Sequence, residues 1–180
     1  MAAPAGPSPS AYQRALRRLA RRDHSEAELR RALVTRGHSQ AEIDEAVSRL
    51  RARRYVDDET FAERFATSRL SHYGQGQARI RQGLRQRGVV REELEAGLNA
   101  ALRDVSEDEV LDRVARRYWK QHTRVEPARR LPRLWAFLLR RGFAPGHVRR
   151  RLLSLWPRWS DALEGLEPAE VEMDDDAEAG

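Results

Sequence analysis

The chain has 180 residues, of which 34 are Lys or Arg and 28 are Asp or Glu, and its formal net charge is +6 at pH 7. It contains no cysteine, which excludes disulfides, thiolate zinc sites and cysteine nucleophiles and indicates a reducing compartment. No apolar run approaches the length of a membrane span, and the first residues lack the charged start and apolar stretch of a signal peptide. We therefore expect a soluble, cytoplasmic protein with no membrane partner.

Charge is distributed unevenly along the chain. Residues 161–180 contain nine acidic residues and no basic one, so residues 1–160 carry a formal charge of +15. A body this basic attracts polyanions and releases counterions when it binds them. We predict that residues 1–9 form a disordered leader and that residues 160–180 form a disordered acidic tail. The tail either only solubilises the chain or folds back electrostatically on the basic body.

The first predicted unit covers residues 10–54 and contains three helix starts. Ser10, Ser25 and Ser39 each precede a Gln or Glu by three positions, which is the spacing of a capping box. The first helix is predicted over Ala11–Arg22, with these side chains facing inward: Tyr12, Ala15, Leu16 and Leu19. A fourth capping spacing begins at Ser106. Strand signals are nearly absent, so the sequence predicts an all-α fold.

The second predicted unit covers residues 55–104. Its first helix is predicted over Asp58–Tyr73, and Asp57 and Asp58 are expected to serve the helix cap and dipole rather than a metal ion. A glycine break at Gly74-Gln75-Gly76 follows. It lies between two helices without a preceding strand, so we interpret it as a tight helix connection rather than a nucleotide-binding loop.

The third predicted unit covers residues 105–159, and its first helix is predicted over Glu107–Gln121 with these residues inward: Val110, Leu111, Val114 and Tyr118. Pro132 is placed in the first turn of the next helix, where proline is tolerated. The four tryptophans are Trp119, Trp135, Trp156 and Trp159. They either stack on bases or pack within the unit, and for Trp135 and Trp156 the apolar periodicity favours the core.

An internal repeat appears when three Arg-Gly pairs, Arg36-Gly37, Arg87-Gly88 and Arg141-Gly142, are superposed. Four sets of apolar residues then align at eight and four positions before the glycine and at six and ten positions after it. These residues are Leu29, Ile80 and Leu134; Leu33, Leu84 and Leu138; Ile43, Leu94 and Val148; Val47, Leu98 and Leu152. The pattern predicts a helix that ends on a left-handed glycine, a turn, and a second helix packed on the first. Three such three-helix units in tandem are expected to stack into an elongated, curved array.

The tripled unit, the string RRDHSEAELRRAL in the first unit, and YVDDETFAERFATSR with GQARIRQGLRQRGV in the second resemble the RecX family, bacterial regulators of the RecA recombinase. The resemblance covers roughly Ala11 to Trp156 and is most specific in the second unit. It implies a protein that binds RecA–DNA filaments along their groove and has neither catalytic residues nor a cofactor. It also implies inhibition of ATP hydrolysis, strand exchange and coprotease activity, with a role in homologous recombination, DNA repair and the SOS response. Some members of the family are reported to bind DNA directly.

Arginines without acidic neighbours in sequence are the candidate residues for contact with the recombinase or with DNA, whether single- or double-stranded. Eleven are selected: Arg79, Arg81, Arg85, Arg87, Arg129, Arg130, Arg133, Arg140, Arg141, Arg149 and Arg150. Arg14, Arg17, Arg18, Arg21 and Arg22 on the first helix and Arg151 in the third unit meet the same criterion. Consecutive arginines point in different directions on a helix, so not all of these can share one surface. Some arginines are instead expected to belong to solvated helix faces with acidic partners four residues away.

Two other classes of function compete with the filament regulator. The first is a sequence-independent DNA-binding protein whose helix pairs contact phosphates, and the second is a nuclease that uses Asp57 and Asp58. A nuclease of this kind needs a metal ion, and no two of the five histidines are four residues apart. We therefore predict no metal site and no catalytic residue.

Overall fold

The computed structural model of the chain describes residues 9–157, within which it has nine α-helices and no β-strand. The helices are α1 Ala11–Leu19, α2 Glu26–Val34, α3 Gln40–Ala52, α4 Asp58–Ser71, α5 Gln77–Gln86, α6 Arg91–Asp104, α7 Glu107–Gln121, α8 Pro127–Arg140 and α9 Pro145–Leu155. The prediction of an all-α chain of tandem three-helix units is confirmed. The predicted leader and acidic tail lie outside the described residues, except for Pro9.

Helix starts follow the chemistry that the sequence indicates. At Ser10, Ser25 and Ser39 the serine side chain accepts from the backbone N–H three residues later, and the Gln or Glu at that position accepts from the serine N–H. At Ser106 the serine accepts from Glu109 N, which is the first half of the same arrangement. These caps satisfy N–H groups that have no partner inside the helix. Helix α1 ends three residues before the predicted end and α4 ends two residues before it, whereas α7 matches its predicted bounds.

The three Arg-Gly pairs form the predicted corners. Gly37, Gly88 and Gly142 have φ values of +81°, +81° and +87°, in the left-handed region that favours glycine. The twelve superposed apolar positions are at most 2% exposed. The repeat in the sequence is therefore a repeat in packing, because equivalent residues line the core on both sides of each corner.

Two compact units can be distinguished among the described residues. One consists of residues 9–65 and 83–100, and the other of residues 66–82 and 101–157. In the first unit, helices α1, α2 and α3 surround a core to which Ala15 contributes directly. Tyr12, Leu16 and Leu19 pack against that core and are partly buried. In the second unit, helices α7, α8 and α9 pack on one another around Leu111 and similar residues.

A joint between successive three-helix units lies within the first compact unit. The corner at the end of α5 contacts the start of α2, where Ser25 Oγ donates to the backbone oxygen of Arg87 at 2.7 Å. Arg31 Nη2 donates to the same oxygen at 3.1 Å. A Cβ added at Gly88 would lie 2.5 Å from the Cβ of Ala27. The corner is thus held both by hydrogen bonds to its carbonyls and by close packing against a small residue.

The second compact unit contains the equivalent joint, between the corner at the end of α8 and the start of α5. Gly76 N donates to the oxygen of Arg141 at 2.7 Å, and Ala78 N donates to the oxygen of Gly142 at 3.1 Å. A Cβ on Gly76 would lie 2.4 Å from the Gly142 oxygen, so no side chain fits there. The Gly74–Gly76 segment is therefore the tight helix connection that the sequence predicts, and it also receives the next corner.

The sequence analysis expected Pro132 in the first turn of α8, and this expectation is wrong. The helix begins at Pro127, so Pro132 lies inside it, one turn further along than expected. The physical reason is that Pro127, with its fixed φ and no N–H, occupies the first helical position itself. Measured back from the corner glycines, Pro132 stands where Ala78 stands in the second unit, but it has no N–H to donate.

The acidic pair at the start of α4 caps two helices. Asp57 Oδ1 accepts from Thr60 N at 3.0 Å, which is the predicted cap of α4. Asp58 Oδ1 accepts from Glu26 N at 2.8 Å and so caps the start of α2. Burial is the largest influence on the pKa of Asp58 and raises it, although the hydrogen bond from Glu26 N opposes this effect.

We expect Asp58→Ala and Asp58→Asn to affect stability in opposite ways. The alanine variant leaves Glu26 N without its acceptor, so its free energy of unfolding should fall by about 1 kcal/mol. The asparagine variant keeps the Oδ1 acceptor and removes the charge, so at pH 7 it should be as stable as the wild type or more stable. Because the folded pKa of Asp58 is raised, wild-type stability falls as pH rises through that pKa. The advantage of asparagine should therefore shrink on acidification, and urea unfolding at pH 7 and pH 4 measures it. Equal losses for both variants would contradict this role.

Candidate functional site: basic helix faces

The eleven arginines predicted to contact a partner differ in exposure. Seven are exposed, three are partly buried and one is buried. The exposed ones are Arg79, Arg85, Arg129, Arg133, Arg140, Arg149 and Arg150; the partly buried ones are Arg81, Arg87 and Arg141; the buried one is Arg130. Exposure is needed for a guanidinium to meet a partner, so it divides the predicted set before any other property does.

Helix α8 separates its arginines by face. Arg129, Arg133 and Arg140 are spaced by four and seven residues, which places them on one side of a helix with 3.6 residues per turn. We call these three residues the α8 basic face. Their side chains form no ion pair within residues 9–157. Arg130 and Arg141 share a different side of the helix, about 100° away, and both are used inside the protein.

Arg130 is buried and makes contacts inside the protein, while its role in binding a partner stays a prediction. Only 7% of it is exposed. Its Nε donates to the oxygen of Val125 at 3.0 Å, its Nη2 donates to the oxygen of Thr123 at 2.9 Å, and its guanidinium lies 4.3 Å from the ring centroid of Trp119. A fixed fork of donors suits this task, because the loop between α7 and α8 presents several carbonyls together.

Arg87 donates to its own helix, whereas Arg141 donates to the connection between α4 and α5. Arg87 Nη1 donates to the oxygen of Gly83 at 2.9 Å, and its guanidinium lies 4.6 Å from the ring centroid of Phe65. Arg141 Nη1 donates to the oxygen of Tyr73, and its guanidinium lies 4.8 Å from the ring centroid of Phe137. The arginine of these two Arg-Gly pairs therefore stabilises a helix end in addition to any contact with a partner.

The remaining predicted arginines lie on α5 and α9. Arg79 Nη1 donates to the oxygen of Arg140 at 3.3 Å, so the start of α5 lies beside the end of the α8 basic face. Arg81 and Arg85 share one side of α5. Arg149 and Arg150 are exposed on α9, whereas the next arginine, Arg151, forms ion pairs with Asp108 and Asp112 of α7.

The sequence analysis missed a basic stripe on α7. Arg113, Arg116, Arg117 and Lys120 are spaced i, i+3, i+4 and i+7, all four are exposed, and we call them the α7 basic stripe. They line an open groove of about 580 Å³ together with Glu109, Asp112 and Gln121. Arg113 Nη2 donates to the oxygen of Ser71 at 2.9 Å. The spacing was visible in the sequence, but the acidic residues at the start of the same helix made the segment look balanced.

The tryptophans of the third unit are mainly structural. Trp135 is 6% exposed, which confirms its predicted place in the core. Trp156 is partly buried, and its ring centroid lies 5.4 Å from that of Trp119. Trp159 lies outside the described residues. Trp119 thus packs against Trp156 and under Arg130.

Acidic side chains of the first compact unit, including the Asp57-Asp58 pair, line one cavity. Asp57, Asp58, Glu26 and Glu93 line a cavity of about 270 Å³, which Arg51 and Arg54 also line. Burial and the nearby Asp58 raise the pKa of Glu93. No group of three or more histidine and acidic side chains among residues 9–157 has an arrangement that could hold a metal ion. None of the helices described for this chain combines the length and apolarity needed to cross a bilayer.

Comparison with known proteins identifies the repeat. The three family models of the first, second and third three-helix domains of RecX match residues 11–50, 57–98 and 106–152. A curated protein named Regulatory protein RecX from Haemophilus influenzae strain PittEE is 31% identical over 126 residues, which are 69% of this chain and 81% of that protein. One of the same name from Salmonella paratyphi A is 40% identical over 104 residues, which are 52% of this chain and 62% of the relative. The chain thus spans less than two thirds of the Salmonella protein.

Two solved structures share the fold. A crystal structure described as regulatory protein RecX aligns with a TM-score of 0.69 at 21% identity, over 78% of this chain and 70% of that one. The crystal structure of RecX from Lactobacillus salivarius aligns with a TM-score of 0.70 at 18% identity, over 81% of this chain and 94% of that one. At these identities the structures speak for the fold alone, whereas the three family models cover most of the sequence. On that evidence, this chain is a member of the RecX family of regulatory proteins.

Proposed function

We propose that this chain is a cytoplasmic regulator of homologous recombination and DNA repair that binds RecA–DNA filaments and inhibits the recombinase, including its ATP hydrolysis, strand exchange and coprotease activity. It acts by binding, without a cofactor and without chemistry of its own. The observation that carries the proposal is an exposed basic surface, the α8 basic face, on a chain that belongs to the RecX family.

Electrostatics supports this choice of partner. The three arginines of the α8 basic face are exposed and form no ion pair within residues 9–157, so they can pair with another molecule without first breaking an internal contact. Their guanidinium groups suit carboxylates on acidic protein surfaces and phosphates equally well. A nucleoprotein filament presents both kinds of group repeatedly. An array of such contacts gives orientation and a fast encounter as well as affinity.

We expect the triple variant Arg129→Gln/Arg133→Gln/Arg140→Gln to inhibit filaments much less effectively than the wild type. Losing three charged contacts of about 0.5–1 kcal/mol each corresponds to roughly a 10- to 100-fold rise in the concentration for half-maximal inhibition. The measurement is ATP hydrolysis by preformed RecA filaments on single-stranded DNA as the protein is titrated in. Thermal unfolding of the variant alone shows whether the fold is intact.

The matched control removes the same charge elsewhere. Arg17, Arg18 and Arg21 are also exposed, but they lie at the end of α1 in the first compact unit. Replacing these three arginines with glutamine should weaken inhibition only by the small, nonspecific effect of removing three positive charges. If both triple variants weaken inhibition equally, the α8 basic face has no specific role. If the wild-type chain leaves ATP turnover unchanged at a stoichiometric ratio, the proposed function itself is wrong.

A second candidate function is sequence-independent binding to DNA, and the α7 basic stripe is the observation that favours it. Four basic residues on one side of a helix match the charge repeat of a phosphate backbone better than a mixed protein surface. A DNA-binding protein should bind naked single- or double-stranded DNA without recombinase, with an affinity that falls steeply as salt rises. A filament regulator needs the recombinase for tight binding, so the two functions separate in one titration.

A further inference from the structure

The α7 basic stripe is a charged surface whose residues form no ion pair within residues 9–157. Arg116, Arg117 and Lys120 are exposed and form no ion pair in the described part of the chain. Asp112, which lines the same groove, is already paired with Arg151 through Arg151 Nε and Asp112 Oδ1 at 3.0 Å. Glu109 is the other acidic residue of the groove. The stripe therefore presents a net positive groove that suits an anionic occupant.

Helix α9 ends beside this groove. It runs beside α7 in the same direction, because His147 contacts Asp108, Arg151 contacts Asp112 and Trp156 packs on Trp119. The last of these contacts fixes the end of α9 next to the residue that precedes Lys120. The described part of the chain therefore ends, at Pro157, beside the C-terminal end of the stripe.

The composition of those residues matches the groove. Residues 161–180 contain nine acidic residues and no basic one, and three of them form the run Asp174–Asp176. The stripe, from Arg113 to Lys120, is about 10 Å long at 1.5 Å per residue. A chain of about twenty residues can span up to roughly 65 Å, so the acidic segment is long enough to reach the stripe.

We propose that the acidic segment 161–180 binds the α7 basic stripe of its own chain and so masks the stripe from other polyanions. The contact is intramolecular, so its effective concentration is far above that of a free competitor, and even a weak set of ion pairs fills the groove. Salt weakens it, because the charges are exposed and screened. The masking also regulates the second candidate function, DNA binding through this stripe, and in that respect rests on it, but the contact itself can be tested without recombinase or DNA.

Lys120 makes a direct test possible, because it is the only lysine of the chain. A carbodiimide joins an amine to a carboxylate that touches it. With the purified full-length chain at about 20 mM salt, we expect peptide mapping of the monomer to show Lys120 linked to an acidic residue between Asp161 and Glu178. Raising the salt to about 500 mM should lower the yield at least about fivefold, since the screening length then falls to a few ångströms.

Two charge-removing double variants, matched in charge, and one variant that moves the lysine decide where the segment binds. Arg116→Gln/Arg117→Gln keeps Lys120 but removes half of the stripe, and should lower the yield several-fold. Arg129→Gln/Arg133→Gln removes the same charge from the α8 basic face and should leave the yield unchanged. Moving the lysine, as Lys120→Arg/Arg17→Lys, should abolish links to the segment.

Several results would overturn the proposal. They are links from Lys120 only to Glu109 or other carboxylates before Asp161, links found only between two molecules, and equal losses for the two double variants. None of these results depends on the recombinase. Failure here is thus distinct from failure of filament inhibition.

Discussion

Replacing Gly142 with alanine should lower the free energy of unfolding by about 2–5 kcal/mol, because the position combines a left-handed backbone with a close approach of another backbone. Its φ is +87°, and an added Cβ would lie 2.5 Å from Arg79 N and 2.6 Å from Arg79 Cβ. Relieving the clash requires the α8 corner to move away from the start of α5. The hydrogen bonds from Gly76 N and Ala78 N to the corner would then lengthen.

Urea unfolding gives the overall loss, and hydrogen exchange locates it. The amide hydrogens of Gly76 and Ala78 should exchange faster in Gly142→Ala, whereas those of α1 should not change. Gly37→Ala is the matched control, since Gly37 has φ +81° but no atom within 4 Å of an added Cβ. Gly37→Ala should lower the free energy of unfolding only by the cost of the left-handed backbone strain, roughly 1–2 kcal/mol. Equal losses at the two corners would show that the joint adds nothing to the backbone strain.

Replacing Gly97 with alanine should have the second large effect and lower the free energy of unfolding by about 2–3 kcal/mol. The loss is expected although alanine is the better helix former by about 1 kcal/mol. Gly97 lies on α6 against α4. A Cβ there would lie 2.6 Å from the oxygen of Glu59, the nitrogen of Glu63 and the Cβ of Ala62. Two of these atoms belong to the α4 backbone, so a side-chain rotation cannot make room. The helices have to separate, which opens a gap in a packed core.

Gly146→Ala provides the control for Gly97→Ala. Gly146 also lies in a helix, α9, but nothing stands within 4 Å of its added Cβ, so the substitution should raise stability by about 0.5–1 kcal/mol. Adding Ala62→Gly to Gly97→Ala removes one of the three clashes and should recover only a minor part of the loss. A Gly97→Ala chain as stable as the wild type in urea would mean that α4 and α6 are not in such close contact.

Helices, corners and core could be predicted from the sequence because short-range chemistry determines them. Ser25 and Ser39 cap the helices that follow them, and the three corner glycines have positive φ. The superposition of the Arg-Gly pairs identified the buried positions, because packing repeats with the helical period. The start of α8 was misplaced because Pro127 and Pro132 both suit a first turn, and sequence alone did not decide between them.

The basic surfaces could be predicted only in part. Whether an arginine is exposed depends on contacts that are distant in sequence, as for Arg151 with Asp112 and Arg31 with the end of α5. Arg130 resembles Arg129 in sequence, but it faces loop carbonyls that the sequence pattern does not reveal. The α7 basic stripe was missed because acidic residues near it in sequence made the segment look neutral. In the structure, two of these residues, Asp108 and Asp112, are paired with α9.

Pro132 changes the contacts that the start of α8 can offer to another helix corner. In the second unit, Ala78 supplies the amide hydrogen that receives the following corner, and proline at the corresponding place in the third unit supplies none. Helix α8 also begins one turn earlier, relative to its glycine, than α2 and α5 do. A further module packed on the third unit could therefore not use the amide contact that Ala78 makes, and would have to rely on side-chain donors, as the first unit does with Ser25 and Arg31.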